Sequence, residues 1–225
     1  MHARSWGWTT RLDPTLFAFA LGLGSAVTLA GANTFVKAAK DILGARAVMA
    51  FTSAILMAPV AFFTPLPNQQ TWMILGLSLP AHWLYQTALV RALSRGDLSL
   101  VFPVMRGSAP LLTAIAASLV LGEHLSPLAI TGLTIASLAT IVFALPEKNF
   151  GGSRKVRNSA LLWAMATGAC VAIYNVIDAQ GVRAGPSQWS FIVWLFPLDW
   201  IGINIIAYLT RGHGPFIASA RAALK

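Results

Sequence analysis

Acidic side chains are scarce in this chain: Asp and Glu together number 7 in 225 residues, against 16 Lys and Arg, and charged residues make up only 10%. A soluble domain carries roughly a quarter charged residues to solvate its surface, so this chain has too little charge to cover itself in water. Cysteine is nearly absent as well. The single Cys170 excludes an internal disulfide and any cysteine-based metal cluster. The four histidines are dispersed, and no HisGluXxxXxxHis, phosphate loop or GlyXxxSerXxxGly occurs. No catalytic residue, metal site or cofactor is therefore expected. The excess of cations, formally +9, is spread over short connectors and one brief cluster. A nucleic-acid binder would show a basic stripe interleaved with aromatics, so nucleic acid is not an expected partner.

What the chain has in abundance is apolar length: 56% of its residues are hydrophobic. Crossing about 30 Å of hydrocarbon takes roughly 20 apolar residues as a helix, and irregular backbone cannot face lipid with its amide groups unpaired. Segments near this length run at about 15–36, 46–64, 71–91, 98–121, 125–145, 159–179 and 188–209. The expected fold class is an all-α membrane protein, a polytopic helical bundle of about seven transmembrane helices with the lipid bilayer as its surroundings. Turn and charge signals at 40–46, 65–70, 94–97 and 122–127 make short connectors, so neighbouring helices are expected to pack antiparallel. The first span has a rival reading as a secretory signal, because Arg4, Arg11, an apolar run and LAGA at 29–32 have the required order. Its length and the six spans that follow favour a membrane helix.

The longest polar interruption, PEKNFGGSRKVRN at 146–158, separates five spans from two and is the expected linker. Across it, AGANTFVK at 30–37 is similar to AIYNVID at 172–178, with Asn33 opposite Asn175. A repeat that begins after five spans enters the membrane from the opposite side, the inverted arrangement of many secondary transporters.

Ionisable groups at bilayer depth cost about 3 kcal/mol on insertion scales, so they face water, a ligand or a partner. Arg106 lies near the middle of the fourth span, in LVFPVMRGSAP, and shares a helical face with Pro103, Pro110 and Thr113. Two readings stand for it: a cavity-lining cation, or the partner of a buried acid that fixes helix packing. His82, Tyr85 and Gln86 form a stripe on the third span, where the His either titrates or packs as a neutral group. In the sixth span Thr167, Tyr174 and Asp178 share a stripe, with Asn175 beside it. Asp199, two residues after Pro197, is the deepest acid and is expected to partner Arg106 or carry a proton, whereas Asp178 reads as an interfacial or capping group. Arg91 and Lys37 sit near span ends and can snorkel. Trp6, Trp8, Trp72, Trp189 and Trp200 read as an aromatic belt, and Gly22, Gly24, Gly31, Gly107, Gly132 and Gly168 as points of close helix contact.

The order of residues ALVRALSRGDLSLVFPV at 88–104, APLLTA at 109–114 and LGEHLSP at 121–127, with Gly132 following, resembles the EamA repeat of the drug/metabolite transporter superfamily. NTFVK at 33–37 and Arg46 extend the resemblance into the first two helices, and YNVIDAQGVR at 174–183 looks like the opening of a second repeat. The resemblance implies ten helices in two inverted five-helix repeats around a central cavity, moving small metabolites or amino-acid-like compounds by alternating access. It also implies a multi-pass protein of a plasma membrane, the bacterial inner membrane. The domains expected on it are residues 1–145 as the first repeat, 146–158 as linker and 159–225 as an incomplete second repeat. The chain stops at RAALK, 221–225, before an eighth span. A fragment is one expectation; a truncated product closed by a second copy or a partner chain is the other.

The expected substrate-binding residues are Asn33, His82, Tyr85, Arg106, Tyr174 and Asp199. Arg106 would hold an anionic group of a small-molecule substrate, and Asp199 or His82 would accept a coupling proton. The family resemblance favours a cytoplasmic amino terminus and the distribution of Lys and Arg an external one. A seven-helix receptor or sensor is the alternative function, suggested by span count alone and without the last-span lysine that a retinal protein needs.

Overall fold

The computed structural model describes residues 13–39, 41–144 and 153–211. Seven helices and no strand occur among them: α1 (Pro14–Ala38), α2 (Ile42–Ala61), α3 (Gln69–Leu93), α4 (Leu98–Leu121), α5 (Pro127–Ala144), α6 (Arg154–Ala184) and α7 (Gln188–Arg211). Five of them, α1, α2, α4, α6 and α7, are long and apolar enough to cross a membrane. The other two differ for separate reasons. The apolar part of α5 is short, Pro127–Val142. In α3 the polar residues Ser78, His82, Gln86 and Arg91 dilute a helix of 25 residues.

Local chemistry sets the helix ends. Asp41, Asn68 and Ser153 accept from the backbone N–H three residues on, at 3.0, 2.8 and 3.4 Å, the N-cap bond that satisfies an otherwise orphaned donor. The LGE turn ends α4 because Gly122 takes φ +67°, a left-handed conformation that costs glycine nothing. Ser126 then caps α5 through the N–H of Ala129. The Ser153 cap starts α6 inside the stretch read as linker, so residues 154–158 are helical; residues 145–152 lie outside the described part, as do Trp6 and Trp8.

The chain divides into two compact units, residues 1–38 and 39–225. Among the described residues the first consists of helix α1, whose Asn33 amide donates to the Leu29 carbonyl one turn back at 2.8 Å. In the second, the large interfaces join helices far apart in sequence: α3 with α6, α4 with α6, and α2 with α7, with α4 and α5 the chief sequential pair. Helix α6 is the hub. Gly96 faces Ala160, Ser108 faces Gly168, Thr113 meets Asn175 and Glu123 meets Arg183, so α4 and α6 run in the same direction. Asn68 bonds the Ala184 carbonyl while Arg91 covers Trp163, so α3 runs opposite to α6.

Bare backbone makes these approaches possible, since without water between helices it is packing and polar contacts that hold them. A Cβ at Gly168 would strike Ser108, one at Gly181 the Phe191 ring, and one at Gly202 the Trp83 indole. Gly107 sits less tightly against Thr140 and Ile141 of α5. The expected contact glycines are thus partly corrected. Gly107 and Gly168 are points of approach and Gly132 is open, while Gly181 and Gly202, which nothing in the local pattern singles out, are as tight as Gly168. Trp72 and Trp200 also meet other rings, Trp194 at 5.2 Å and Phe51 at 5.5 Å between centroids.

Candidate functional site

Helix α3 crosses the middle of the second unit, and its polar stripe meets acids from two different helices. His82 Nε2 lies 2.8 Å from Asp178 Oδ2 of α6, and the Ser78 hydroxyl, one turn earlier, donates to the other oxygen of the same carboxylate. The offset of four residues places Ser78 and His82 on one face, and the antiparallel α6 sets Asp178 between them. The Tyr174 ring, one turn below Asp178, stacks on the His82 imidazole with centroids 4.2 Å apart. Tyr85 packs edge-on against Tyr174 at 5.3 Å, and the Arg46 guanidinium of α2 lies 5.8 Å above the Tyr85 ring.

One turn further along α3, Gln86 is fully buried and its amide donates to both oxygens of Asp199 of α7, at 2.9 and 2.8 Å. The Trp83 indole donates to the Asp199 carbonyl at 3.2 Å. Of the two expectations for Asp199, the pairing with Arg106 does not occur: Gln86 engages it, because α7 packs on α3 and has no substantial interface with α4. Asp178 was expected at an interface. Helix α6 runs on to Ala184, so Asp178 is six residues from its end and faces the polar stripe of α3.

Arg106 stands apart from both acids. Its guanidinium lies 5.5 Å from the Phe102 ring of its own helix, and no carboxylate forms an ion pair with it among the described residues. It borders a cavity of about 430 Å³ between α4 and α6, together with Pro110, Thr113, Val171, Asn175 and Glu123. Asn175 donates to the Thr113 hydroxyl across this space at 3.4 Å. At the rim, Arg183 and Glu123 form an exposed ion pair at 2.6 Å. Helix α4 runs unbroken past Pro103 and Pro110. A proline cannot donate its backbone bond, so each frees a carbonyl on the Arg106 face.

Against the family profiles, residues 16–145 match the EamA-like transporter family, more than half of the chain. The chain belongs to the EamA-like transporter family. It is thus a member of a family of membrane transporters of small molecules and not of enzymes, and its apolar helices make it a multi-pass membrane protein. No curated protein and no solved structure matches it. The matched segment contains His82, Tyr85 and Arg106, while their contacts in α6 and α7 come from residues beyond it.

Of the six expected site residues, His82, Tyr85 and Tyr174 come together around Asp178. Arg106 borders the cavity between α4 and α6, Asp199 is engaged by Gln86, and Asn33 belongs to the first unit. The reading by stripes passed over Ser78, although its spacing of four from His82 is visible in the sequence. Asp178 was discounted by its distance from a span end, and that distance was measured against too short a span. Thr113 and Asn175 were noted on their helices, but nothing in either segment pairs them.

Proposed function

We propose that this EamA-like protein moves small metabolites or amino-acid-like compounds that carry an anionic group, by alternating access, with Arg106 as the residue that holds the anion. The observation that carries the reading is the Arg106 side chain beside a cavity of about 430 Å³ whose lining acid, Glu123, is paired with Arg183 instead. A guanidinium at such depth needs a counter-charge or water, and its planar fork suits a carboxylate or phosphate in two-point contact. Thr113 and Asn175 supply hydroxyl and amide groups within the same cavity. They would orient the remaining polar atoms of the substrate.

The His82–Asp178 pair is the proposed proton carrier. An imidazole in contact with a carboxylate changes its hydrogen bonding when it gains or loses a proton, and Tyr174 links the pair to α6 by stacking. Helix α6 also lines the Arg106 cavity, through Val171 and Asn175, so a shift of α6 would be felt at both places. Tyr85 and Arg46 complete the aromatic and cationic wall beside the pair. Asn33 is retained as a substrate contact and Asp199 as an alternative proton acceptor. The bacterial inner membrane is the proposed location, on the motif resemblance.

The test is transport by Arg106→Ala in proteoliposomes or intact cells. Flux of anionic substrates should vanish while the amount inserted in the membrane is unchanged. Flux equal to that of the parent protein would refute the role of Arg106.

A further inference from the structure

Five cations gather where α3 stops and α6 starts: Arg91 and Arg95 on one side, and Arg154, Lys155 and Arg157 on the other. The transport reading uses none of them. In the segments 88–100 and 153–167 that carry them, Asp97 is the single acid.

The guanidiniums of Arg91 and Arg95 stand over the same indole, Trp163, at 4.7 and 5.8 Å from its ring. Arg95 Nη1 also donates to the Arg91 carbonyl at 2.9 Å, which holds the two like charges side by side. Gly96 brings the α3–α4 turn onto Ala160, so these cations lie over the opening turns of α6. There Arg157 is half-buried, and its Nε is shielded from solvent without a hydrogen-bond partner among the described residues. Like charges held this close at the edge of an apolar helix repel one another unless an anion lies between them.

Two features give the anion its chemistry. Guanidinium groups match the two-point geometry of phosphate oxygens, and the free N–H groups at the start of α6 add partial positive charge. Tryptophan beside cations at the end of an apolar run marks the headgroup level of a bilayer, where basic clusters attract anionic lipids. A soluble anion would have no use for the indole. We propose that Arg91, Arg95, Arg157 and Trp163 form a binding site for the headgroup of an anionic phospholipid.

The test uses the full chain, purified and exchanged into nanodiscs of phosphatidylcholine with graded phosphatidylglycerol, and read by native mass spectrometry. Phosphatidylglycerol should be retained over phosphatidylcholine, millimolar inorganic phosphate should not displace it, and each guanidinium removed in Arg91→Gln and Arg95→Gln should weaken its binding about fivefold. Equal retention of the two lipids, unchanged binding in the variants, or displacement by phosphate would each overturn the proposal, the last by showing a small-anion site. If these variants fail to fold, quenching by brominated lipids decides with both arginines in place. The share of quenching lost in Trp163→Phe must be larger with brominated phosphatidylglycerol than with brominated phosphatidylcholine, and equal shares sink the proposal.

Discussion

The two polar regions that α6 borders treat their charges in opposite ways. Towards α3 and α7, each carboxylate is engaged: Asp178 by His82 and Ser78, Asp199 by Gln86. Towards α4, Arg106 has space and the polar Thr113 and Asn175 beside it, while the acid of that cavity, Glu123, is paired with Arg183. Buried hydrogen bonds of this kind rigidify the helices that share them, and removing a partner from a buried charge is costly. An unsatisfied charge beside a cavity is instead ready for a ligand. The difference separates residues that hold the bundle, or move a proton within it, from the residue placed to meet a solute.

Four substitutions test that separation. The largest effect is expected for Arg106→Ala, a loss of roughly 100-fold in flux of anionic substrates with little change in thermal stability, since the group removed has no ion-pair partner among the described residues. A fall in melting temperature that matched the fall in flux would erase the contrast between the two sides. Gln86→Leu should act in the reverse sense. It leaves the Asp199 carboxylate without its donor, at about 1–3 kcal/mol of stability, and the loss should be visible as a lower midpoint in detergent unfolding. Asp178→Asn should reduce flux by about tenfold, because His82 keeps a neutral hydrogen-bond partner but loses the negative charge. Its flux should also depend less on pH than that of the parent, and an unaltered pH profile would remove His82–Asp178 from the coupling step. Glu123→Gln should be the smallest, below about 1 kcal/mol in the same unfolding measurement, because its ion pair with Arg183 is exposed.

Much of the helical framework was legible because hydrocarbon leaves the backbone one local solution. Where the apolar runs were measured, helices stand, and the caps at Asp41, Asn68, Ser126 and Ser153 and the turn at Gly122 are local events that short-range chemistry fixes. The boundary of α6 was misjudged at both ends for one reason. Polar and charged residues at 154–158 and 180–184 end the apolar run without ending the helix, since a helix that emerges from the membrane can continue in water or against a neighbour. That error carried over to Asp178, which was placed at a surface.

The pairing of Arg106 with Asp199, one of the two expectations for that acid, is absent for a different reason. Depth along a helix can be estimated by counting residues, but which helix lies beside which cannot. Helices α4 and α7 each pack on α6 or α3 and share no substantial interface with each other, so two groups at similar depth stay apart. The points of closest approach follow the same logic: Gly181 and Gly202 matter because Phe191 and Trp83 lie opposite them, and Gly132 does not because nothing does.

By itself, the sequence determined the solvent this protein folds in, the helices that solvent demands, and the family whose motif order it carries. Those follow from hydropathy, spacing and short-range hydrogen bonding, which act along the chain. Tertiary packing alone decided that α6 would be the hub, that His82 would find Asp178 rather than Asp199, and that Arg106 would border open space. Such contacts join residues about 60 to 115 positions apart. They depend on which interhelical surfaces fit closely, a property of two faces together that neither segment encodes alone.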